Sequence, residues 1–300
     1  MADRRLQVFH AVARHLSFTK AADALFMTQP AATFQVRQLE EQFGTRLFER
    51  RHGSIALTQA GQIVLSYAEK ILALSDEMET RVGEMTGEMR GPLWVGASTT
   101  IAEFLLPRLL GEFNAFYPQV RVNLFVANSQ SIENRVAEHR LDVGLIDVPA
   151  RLPGLSSPIF CEDELRVICA PDYPLASMKS VTPKVLAEHE FISREVGSGT
   201  REMTDTYFRS HKIPPETLKT QMELGSPESL KGVVATGLGF AIVSRLAVEK
   251  ERQLGTLVVI PLKPVLKRNL YLTYPQDRFQ SRLAATFIDF AKRQLKGPVL

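Results

Sequence analysis

Apolar residues in the first 45 positions recur every three or four residues in three short runs, the spacing of amphipathic helices. The expected buried stripes are Leu6, Phe9, Val12 and Ala13, then Phe18, Ala21, Ala22 and Leu25, then Ala32, Val36, Leu39 and Phe43. Ser17 and Thr28 offer capping hydroxyls before the second and third helices. Pro30 suits the first turn of the third helix, and Gly44 ends it. The pattern predicts two short helices, a three-residue turn and a third helix.

A second repeat begins after Thr58, a candidate N-cap, and predicts one helix that continues to about Glu88. Its apolar positions, at steps of three and four, are Val64, Tyr67, Ile71, Leu74, Met78, Val82, Met85 and Met89. Such a repeat is typical of a coiled-coil seam with one stutter. The alternative is a helix lying on a domain surface, but a length of about 30 residues favours a partner helix. Gly87, Gly91 and Pro92 then predict a domain boundary at 88–92.

Beyond Pro92 the pattern changes to strand-like segments that alternate with helices. The predicted strands are LWVGAS, VRVNLFVA, LDVGLID, ELRVICA, EFIS, KTQMEL, GFAIVS, TLVVI and RNLYLTY, and the predicted helices lie near 101–116, 130–139, 200–210, 226–235, 244–252 and 279–295. Strands alternating with helices indicate parallel, crossover-connected sheets. The sequence therefore predicts an α/β region behind an all-α N-terminal unit.

Net charge is unevenly distributed along the chain. Residues 1–66 hold eight Lys/Arg and five Asp/Glu, a net charge of +3, and residues 67–300 hold 28 of each. A basic terminal unit on a neutral body is the pattern expected of a protein that binds the phosphate backbone. A solvated basic face explains the same charge, so the charge alone leaves both interpretations open.

The helix, turn and helix of the N-terminal unit form a helix-turn-helix pattern, in which the second helix enters the major groove by its N-terminal residues. The predicted DNA-binding residues on this helix are Thr28, Gln29, Pro30, Ala31, Thr33, Phe34, Gln35 and Arg37. Gln can bond adenine, small apolar groups can meet the thymine methyl, and Arg can bind guanine or phosphate. Arg50, Arg51 and His52, before a short IAL strand, predict a wing over the DNA backbone. The alternative is a three-helix packing module with an incidental basic loop.

The run SFTKAADALFMTQPAATFQVRQLEEQFGTRLFER, followed by IALTQAG, resembles the N-terminal signature of the LysR-type transcriptional regulators. The chain departs from that pattern at Phe34, where the family usually has a polar or basic residue, and at Thr33 in place of Ser. GSGTR at 197–201 and GLGFAIVS at 237–244 resemble the branch that regulates carbon-fixation and sulfur-assimilation genes.

The resemblance implies a winged helix-turn-helix domain at 1–57, a linker and dimerisation helix at 58–90, and an effector-binding domain at 91–300. This last domain would resemble a periplasmic binding protein, with lobe I at 91–163 plus 267–300 and lobe II at 164–266. The chain would cross near Glu162–Glu164 and return near Pro264–Lys267. The implied partners are double-stranded DNA and further copies of the chain, as a dimer or a homotetramer built as a dimer of dimers. RNA polymerase is a candidate further partner.

Hydroxyl groups at helix starts predict where a small anion binds, because they and the free N–H groups there can donate hydrogen bonds to it. The candidates are Ser98, Thr99 and Thr100 in one lobe and Ser198, Gly199 and Thr200 in the other, with Asn128, Ser129 and Ser226 as further candidates. Ordinary helix capping explains each motif alone. Their occurrence in both lobes favours an effector site for a small oxyanion or carboxylate, with no other cofactor.

Other features limit the function. No apolar run approaches the ~18–20 residues that span a bilayer, and no signal-peptide pattern begins the chain, so we expect a cytoplasmic protein without a membrane partner. Cys161 and Cys169 fit small core positions, and the six histidines show no metal spacing. Without a nucleophile-and-base motif we expect no enzyme. The alternative to a regulator is a cytoplasmic small-molecule carrier without DNA function.

Overall fold

The computed structural model describes residues 3–51, 54–85, 89–276 and 281–295 of the chain. The chain forms two compact units, Met1–Gly91 and Pro92–Leu300. Each unit has its own buried apolar core.

Within its described residues, the N-terminal unit contains four helices and one two-stranded antiparallel hairpin. In chain order they are α1 (Arg4–His15), α2 (Phe18–Ala24), α3 (Gln29–Phe43), β1 (Phe48–Arg51), β2 (Ser54–Leu57) and α4 (Gln59–Met85). The predicted caps are confirmed, since the Ser17 hydroxyl accepts from the Lys20 N–H and the Thr28 hydroxyl from the Ala31 N–H. Gly44 ends α3 in the left-handed conformation at φ 63°.

The three predicted stripes form one core, in which Val8, Leu47 and Phe48 also take part. Small residues allow the close approach of helices, and Ala21, Ala22 and Ala32 are almost fully buried. The prediction that Phe43 is buried is wrong: its side chain is 48% exposed. Phe43 is the last residue of α3, directly before Gly44, where the helix ends.

The start of α4 is set by the sequence LTQAG. The Thr58 hydroxyl accepts a hydrogen bond from the Gly61 N–H (3.0 Å) and donates one to the Arg46 carbonyl oxygen (2.8 Å). Gly61 lies against the Leu47 carbonyl, and a Cβ at this position would overlap that oxygen. Thr58 and Gly61 therefore dock the start of α4 onto the chain before the hairpin.

Five of the predicted seam residues lie exposed along α4. They are Tyr67, Ile71, Leu74, Met78 and Val82, each between 47% and 60% exposed. Val64, by contrast, packs against the core of the unit. The side chain of Met85 and the predicted end of the helix at 86–88 lie outside the described part of the chain. A single chain thus leaves a continuous apolar face in water.

In the part that the structure describes, the C-terminal unit is built on an eight-stranded mixed sheet and a separate two-stranded one. The eight strands are β3 (Gly91–Ser98), β4 (Val120–Ala127), β5 (Val143–Ile146), β6 (Leu155–Ser156), β7 (Ile159–Cys169), β10 (Ala241–Ser244), β11 (Val258–Ile260) and β12 (Leu266–Pro275). The main order is β10-β7-β12-β5-β3-β4, with β11 beside β7 and β6 beside β12. The second sheet pairs β8 (Glu190–Arg194) with β9 (Lys219–Leu224) in parallel.

The expectation of parallel sheets is only partly correct. β3 and β5 are parallel, but β7 pairs antiparallel with β10, β11 and β12, and β12 pairs antiparallel with β5. The two long strands β7 and β12 run side by side, with Lys267 opposite Glu164. These are the segments predicted to join two lobes, and the lobe boundaries remain a prediction.

Eight α-helices of this unit lie in the described residues. They are α5 (Thr99–Phe104), α6 (Leu106–Phe116), α7 (Ser129–Ala137), α8 (Pro183–Leu186), α9 (Gly199–Ser210), α10 (Pro227–Val234), α11 (Glu249–Leu254) and α12 (Arg282–Gln294). The single helix predicted at 101–116 is two helices, because the chain breaks at Leu105 before Pro107 in the first turn of α6. The short helix α8 was not predicted.

Candidate functional site

The outward surface of α3 carries the residues predicted to bind DNA. Thr28, Gln29, Pro30, Phe34 and Arg37 are exposed, and the remaining members of the set, Ala31, Thr33 and Gln35, are partly exposed. The opposite side of the helix is held in the core by Ala32, Val36 and Leu39. The start of α3 is therefore available to an external partner.

One hydrogen-bonded pair orders side chains at the start of α3. The Gln29 Nε2 donates to the Thr33 hydroxyl (2.9 Å), which itself donates to the Gln29 carbonyl oxygen (3.1 Å). Bonding of a threonine to the carbonyl four residues earlier is common in helices. Thr33 therefore holds the amide of Gln29 along the helix.

The predicted wing is the β1–β2 hairpin, in which Arg50 lies opposite Ile55 and Arg51 opposite Ser54. Only the backbone of Arg50 and Arg51 is described, and His52 lies outside the described residues. Glu40, on α3, accepts hydrogen bonds from the Leu47 N–H (2.8 Å) and the Phe48 N–H (3.3 Å). This carboxylate ties the start of the hairpin to α3, a positioning role that the sequence did not reveal.

In the C-terminal unit, two of the predicted effector hydroxyls meet at Asp147, directly after β5. The Ser98 hydroxyl donates to Asp147 Oδ1 (2.8 Å), and the Ser129 hydroxyl accepts from the Asp147 N–H (3.2 Å). Ser98 precedes α5 and Ser129 begins α7, so the starts of two helices converge on the buried Asp147, one at its carboxylate and one at its backbone N–H. Sequence reasoning missed Asp147.

The GSGTR segment lies directly against the same place. A Cβ at Gly199 would be 2.5 Å from the Asp147 Cβ and 3.1 Å from the Ser129 hydroxyl oxygen. Gly197, at φ +86°, leaves no room for a Cβ beside Asn128. The Asn128 side-chain amide also donates to the Val196 carbonyl oxygen (3.3 Å). The glycines are therefore needed for close approach, and the segment fills the space in front of Asp147.

Arg268, on β12, supplies a fully buried positive charge to this cluster. Its Nη2 lies 2.8 Å from Asp163 Oδ2 and its Nη1 3.6 Å from Asp147 Oδ2. Nη1 also donates to the Thr200 hydroxyl (2.9 Å). Burial alone would lower the pKa of Arg268, but the two carboxylates outweigh this effect and raise its pKa. The sequence did not reveal this guanidinium, because Arg268 lies 68 residues beyond Thr200 along the chain.

Arg194, at the end of β8, is a second buried guanidinium that the sequence analysis missed. Its Nη2 donates to the Thr99 hydroxyl (2.9 Å), and its Nε donates to Glu195 (2.8 Å) and to the Leu224 carbonyl oxygen (3.2 Å). The carbonyl of Gly225, beside Ser226, also accepts from Nη2 (3.4 Å). Arg194 therefore brings the Thr99 and Ser226 regions together.

The remaining predicted effector residues act at helix starts. The side chains of Asn128, Ser198 and Ser226 cap α7, α9 and α10, and Thr100 is buried in the first turn of α5. The capping interpretation thus holds for Asn128, Ser198 and Ser226.

The two cysteines singled out in the sequence lie among the buried core residues. Cys161 and Cys169 are both buried, and burial raises the pKa of the Cys169 thiol to about 11. Across the described ranges, no group of three or more His, Cys, Asp and Glu residues could hold a metal ion. Similarly, no described helix is long and apolar enough to cross a membrane.

Two family models match successive parts of the chain. Residues 4–62 match the bacterial regulatory helix-turn-helix protein of the lysR family, and residues 86–296 match the LysR substrate binding domain. The chain belongs to the LysR family. The resemblance seen in the sequence is confirmed. The N-terminal unit is the DNA-binding part of a LysR-type regulator, and the C-terminal unit is its effector-binding domain.

The sequence of the chain is similar to those of regulators of carbon fixation. A probable RuBisCO transcriptional regulator of Cyanidioschyzon merolae is 37% identical over 287 residues, covering 94% of this chain and 95% of its own length. This similarity confirms the carbon-fixation part of the branch resemblance. The relatives are regulators and not enzymes, which confirms the expectation of a non-enzyme, and the alternative of a carrier without DNA function is wrong.

Solved structures show the same fold. The regulatory domain of Synechocystis PCC6803 CcmR, in complex with 2-PG, is 30% identical with a TM-score of 0.64, covering 69% of this chain and 99% of that domain. Full-length CbnR, in complex with its target DNA, is 22% identical with a TM-score of 0.72, covering 98% of this chain and 99% of that one. The latter similarity shows the fold alone.

Proposed function

We propose that this LysR-type regulator binds its operator through the start of α3 in the major groove and through the hairpin over the phosphate backbone. The contact residues would be Thr28, Gln29, Pro30, Ala31, Thr33, Phe34, Gln35, Arg37, Arg50, Arg51 and His52. The exposure of the α3 residues and the ordered Gln29 amide support this assignment.

The regulator would work in the cytoplasm as a homo-oligomer, a dimer or a dimer of dimers, assembled through α4. The apolar face of Tyr67, Ile71, Leu74, Met78 and Val82 supports this arrangement, because a partner helix would remove it from water. The names of the relatives support genes of carbon fixation as targets. RNA polymerase would be a further partner at the promoter.

The effector would be a small anion, a phosphate ester or a carboxylate, bound among Ser98, Thr99, Thr100, Asn128, Ser129, Ser198, Gly199, Thr200 and Ser226. Its binding would change how the regulator holds or bends DNA. The 2-PG complex of the CcmR domain supports an anionic ligand for this part of the fold.

One observation carries the effector proposal: hydroxyls from separate helix starts converge beside two buried guanidiniums. Ser98 and Ser129 bond Asp147, Thr200 bonds Arg268, and Thr99 bonds Arg194. Such donors bind anions well, since charge-assisted hydrogen bonds are about twice as strong as neutral ones. An anion that displaces these internal bonds would reuse the same donors.

Calorimetry of the full chain would test the proposal with inorganic phosphate, sulfate, glycolate and 2-phosphoglycolate as probes. Thr200→Val should weaken binding about ten- to hundredfold, because a charge-assisted hydrogen bond contributes about 1.5–3 kcal/mol. Thr100→Val should act in the same way. Thr200→Ser, which keeps the hydroxyl, should bind like the wild-type chain.

Thr204→Val is the matched control, because Thr204 is also buried on α9 and its hydroxyl bonds only one turn back, to the Thr200 carbonyl oxygen (2.8 Å). It should leave anion affinity unchanged. The effector proposal fails if none of the probes binds, or if one binds and both valine variants at positions 100 and 200 retain its affinity.

A further inference from the structure

An aromatic residue, Phe34, is exposed on the part of α3 that is predicted to face DNA. Its side chain is 56% exposed. At 3.6 residues per turn, Phe34 lies roughly 200° around the helix from the buried Ala32. Pro30, one turn before it, and Arg37, one turn after it, are also exposed. The helix thus presents an apolar ring between two exposed neighbours on the side opposite the buried Ala32.

A benzyl group at this point is suited to only one feature of a base pair. It has no donor or acceptor for a base edge or a phosphate oxygen. In the major groove, three of the four bases present only hydrogen-bonding groups, whereas thymine also presents the apolar C5-methyl group. Packing the ring on that methyl group would remove both apolar surfaces from water.

We infer that Phe34 packs against a thymine methyl group and selects thymine at one position of each operator half-site. The ordered amide of Gln29, one turn and a half earlier, would read a neighbouring base, so an apolar and a polar contact lie on the same helix. This inference rests on the proposed placement of α3 in the major groove.

Deoxyuridine differs from thymidine only by the missing methyl group, so it tests the contact directly. Operators selected with the wild-type protein would be resynthesised with each thymine replaced in turn by deoxyuridine. One replacement per half-site should weaken wild-type binding about fourfold, the equivalent of about 0.8 kcal/mol per buried methyl group at 1.4 kcal/mol per tenfold. In Phe34→Ala the same replacement should have no effect.

Phe43 provides the matched control on the same helix. Its ring is 48% exposed, but it lies at the far end of α3, away from the residues that would enter the groove. Phe43→Ala should keep the full sensitivity to deoxyuridine, and Phe34→Leu, which keeps an apolar side chain, should keep part of it. Because both rings are exposed, neither change removes core packing.

The inference is overturned if no thymine methyl group affects wild-type binding, or if Phe34→Ala remains as sensitive as the wild-type protein. Gln29→Ala separates this failure from a failure of the docking proposal. If Gln29→Ala still changes base preference, α3 enters the groove and only the role of Phe34 is wrong. If it does not, the placement of α3 is wrong as well.

Discussion

In the N-terminal unit the α3 residues predicted to bind DNA are exposed or partly exposed, whereas in the C-terminal unit most of the predicted effector hydroxyls are buried. Gln29 and Thr33 bond each other within one helix. Ser98 and Thr200 bond a carboxylate and a guanidinium from distant parts of the chain. DNA can contact the exposed α3 residues without breaking any bond between units of structure, because their bonds lie within one helix. A ligand of the C-terminal unit must replace hydrogen bonds that the buried hydroxyls already make.

This difference predicts different energetics for the two partners. DNA affinity comes from contacts that are added, mainly to phosphates, and it should depend steeply on salt. The free energy of effector binding is the difference between the hydrogen bonds gained with the ligand and the internal hydrogen bonds that the ligand replaces. A ligand that breaks internal bonds also favours another conformation of the unit, which is what a regulator needs in order to respond.

The largest expected effect tests how strongly the buried cluster holds the C-terminal unit. Arg268→Met would leave Asp163 and Asp147 without their shared cation, and breaking a buried ion pair costs about 3–5 kcal/mol of unfolding free energy. Urea unfolding of the full chain can be followed by the fluorescence of Trp94, the only tryptophan, which lies on β3 of this unit.

Arg252→Met is the control, because the pair of Arg252 with Glu249 is exposed on α11. Exposed ion pairs contribute about 0–1 kcal/mol to the free energy of unfolding, so the urea midpoint followed by Trp94 fluorescence should change little. A loss below about 1 kcal/mol for Arg268→Met would show that the cluster is not essential to the unit.

The next effect concerns oligomerisation through α4. Leu74→Asp would place a charge on the apolar face, so light scattering should detect smaller species. Operator affinity should then fall by about a hundredfold, since two linked half-site contacts become independent. Gln62→Asp adds the same charge to an exposed position off the seam and should change neither quantity. A wild-type chain that is monomeric at micromolar concentration would contradict the prediction.

At the DNA surface, Gln29→Ala should cost about 1–3 kcal/mol at one base position and relax the preference there, because a bidentate contact to a base is lost. Binding to operators with single base changes would measure it. Arg50→Ala, a change in the hairpin, should instead weaken all sequences alike and reduce the salt slope by about one unit. Wild-type affinity and salt dependence in both variants would contradict the docking of α3 and the hairpin.

The smallest effect addresses Asp147, whose carboxylate accepts a hydrogen bond from the Ser98 hydroxyl. The bound anion and the Asp147 carboxylate carry like charges and repel each other. At an assumed separation of roughly 8 Å and an effective dielectric constant of about 20, this repulsion costs about 2 kcal/mol, and salt reduces it. Asp147→Asn should therefore raise anion affinity about tenfold in calorimetry. Asp172→Asn removes a charge from an exposed position of the same unit and should leave affinity unchanged. Weaker binding in Asp147→Asn would mean that the carboxylate supports the ligand.

The sequence by itself determined the N-terminal unit almost completely. Ser17, Thr28 and Gly44 set the helix ends through bonds to residues at most four positions away. Interactions over so few positions depend only on the local sequence, so capping rules and apolar spacing predict them. Phe43 was assigned wrongly because spacing does not show where a core ends.

Only the tertiary structure decided how the strands pair and what surrounds the effector hydroxyls. The antiparallel pairing of β7 with β12 joins segments that lie about a hundred residues apart along the chain, and turn chemistry does not constrain such pairings. The same holds for the buried charges: Arg268 meets Asp163 across 105 residues and Ser98 meets Asp147 across 49. The sequence does not show which charged residues form a pair. They pair in the folded chain because burying either charge alone costs free energy.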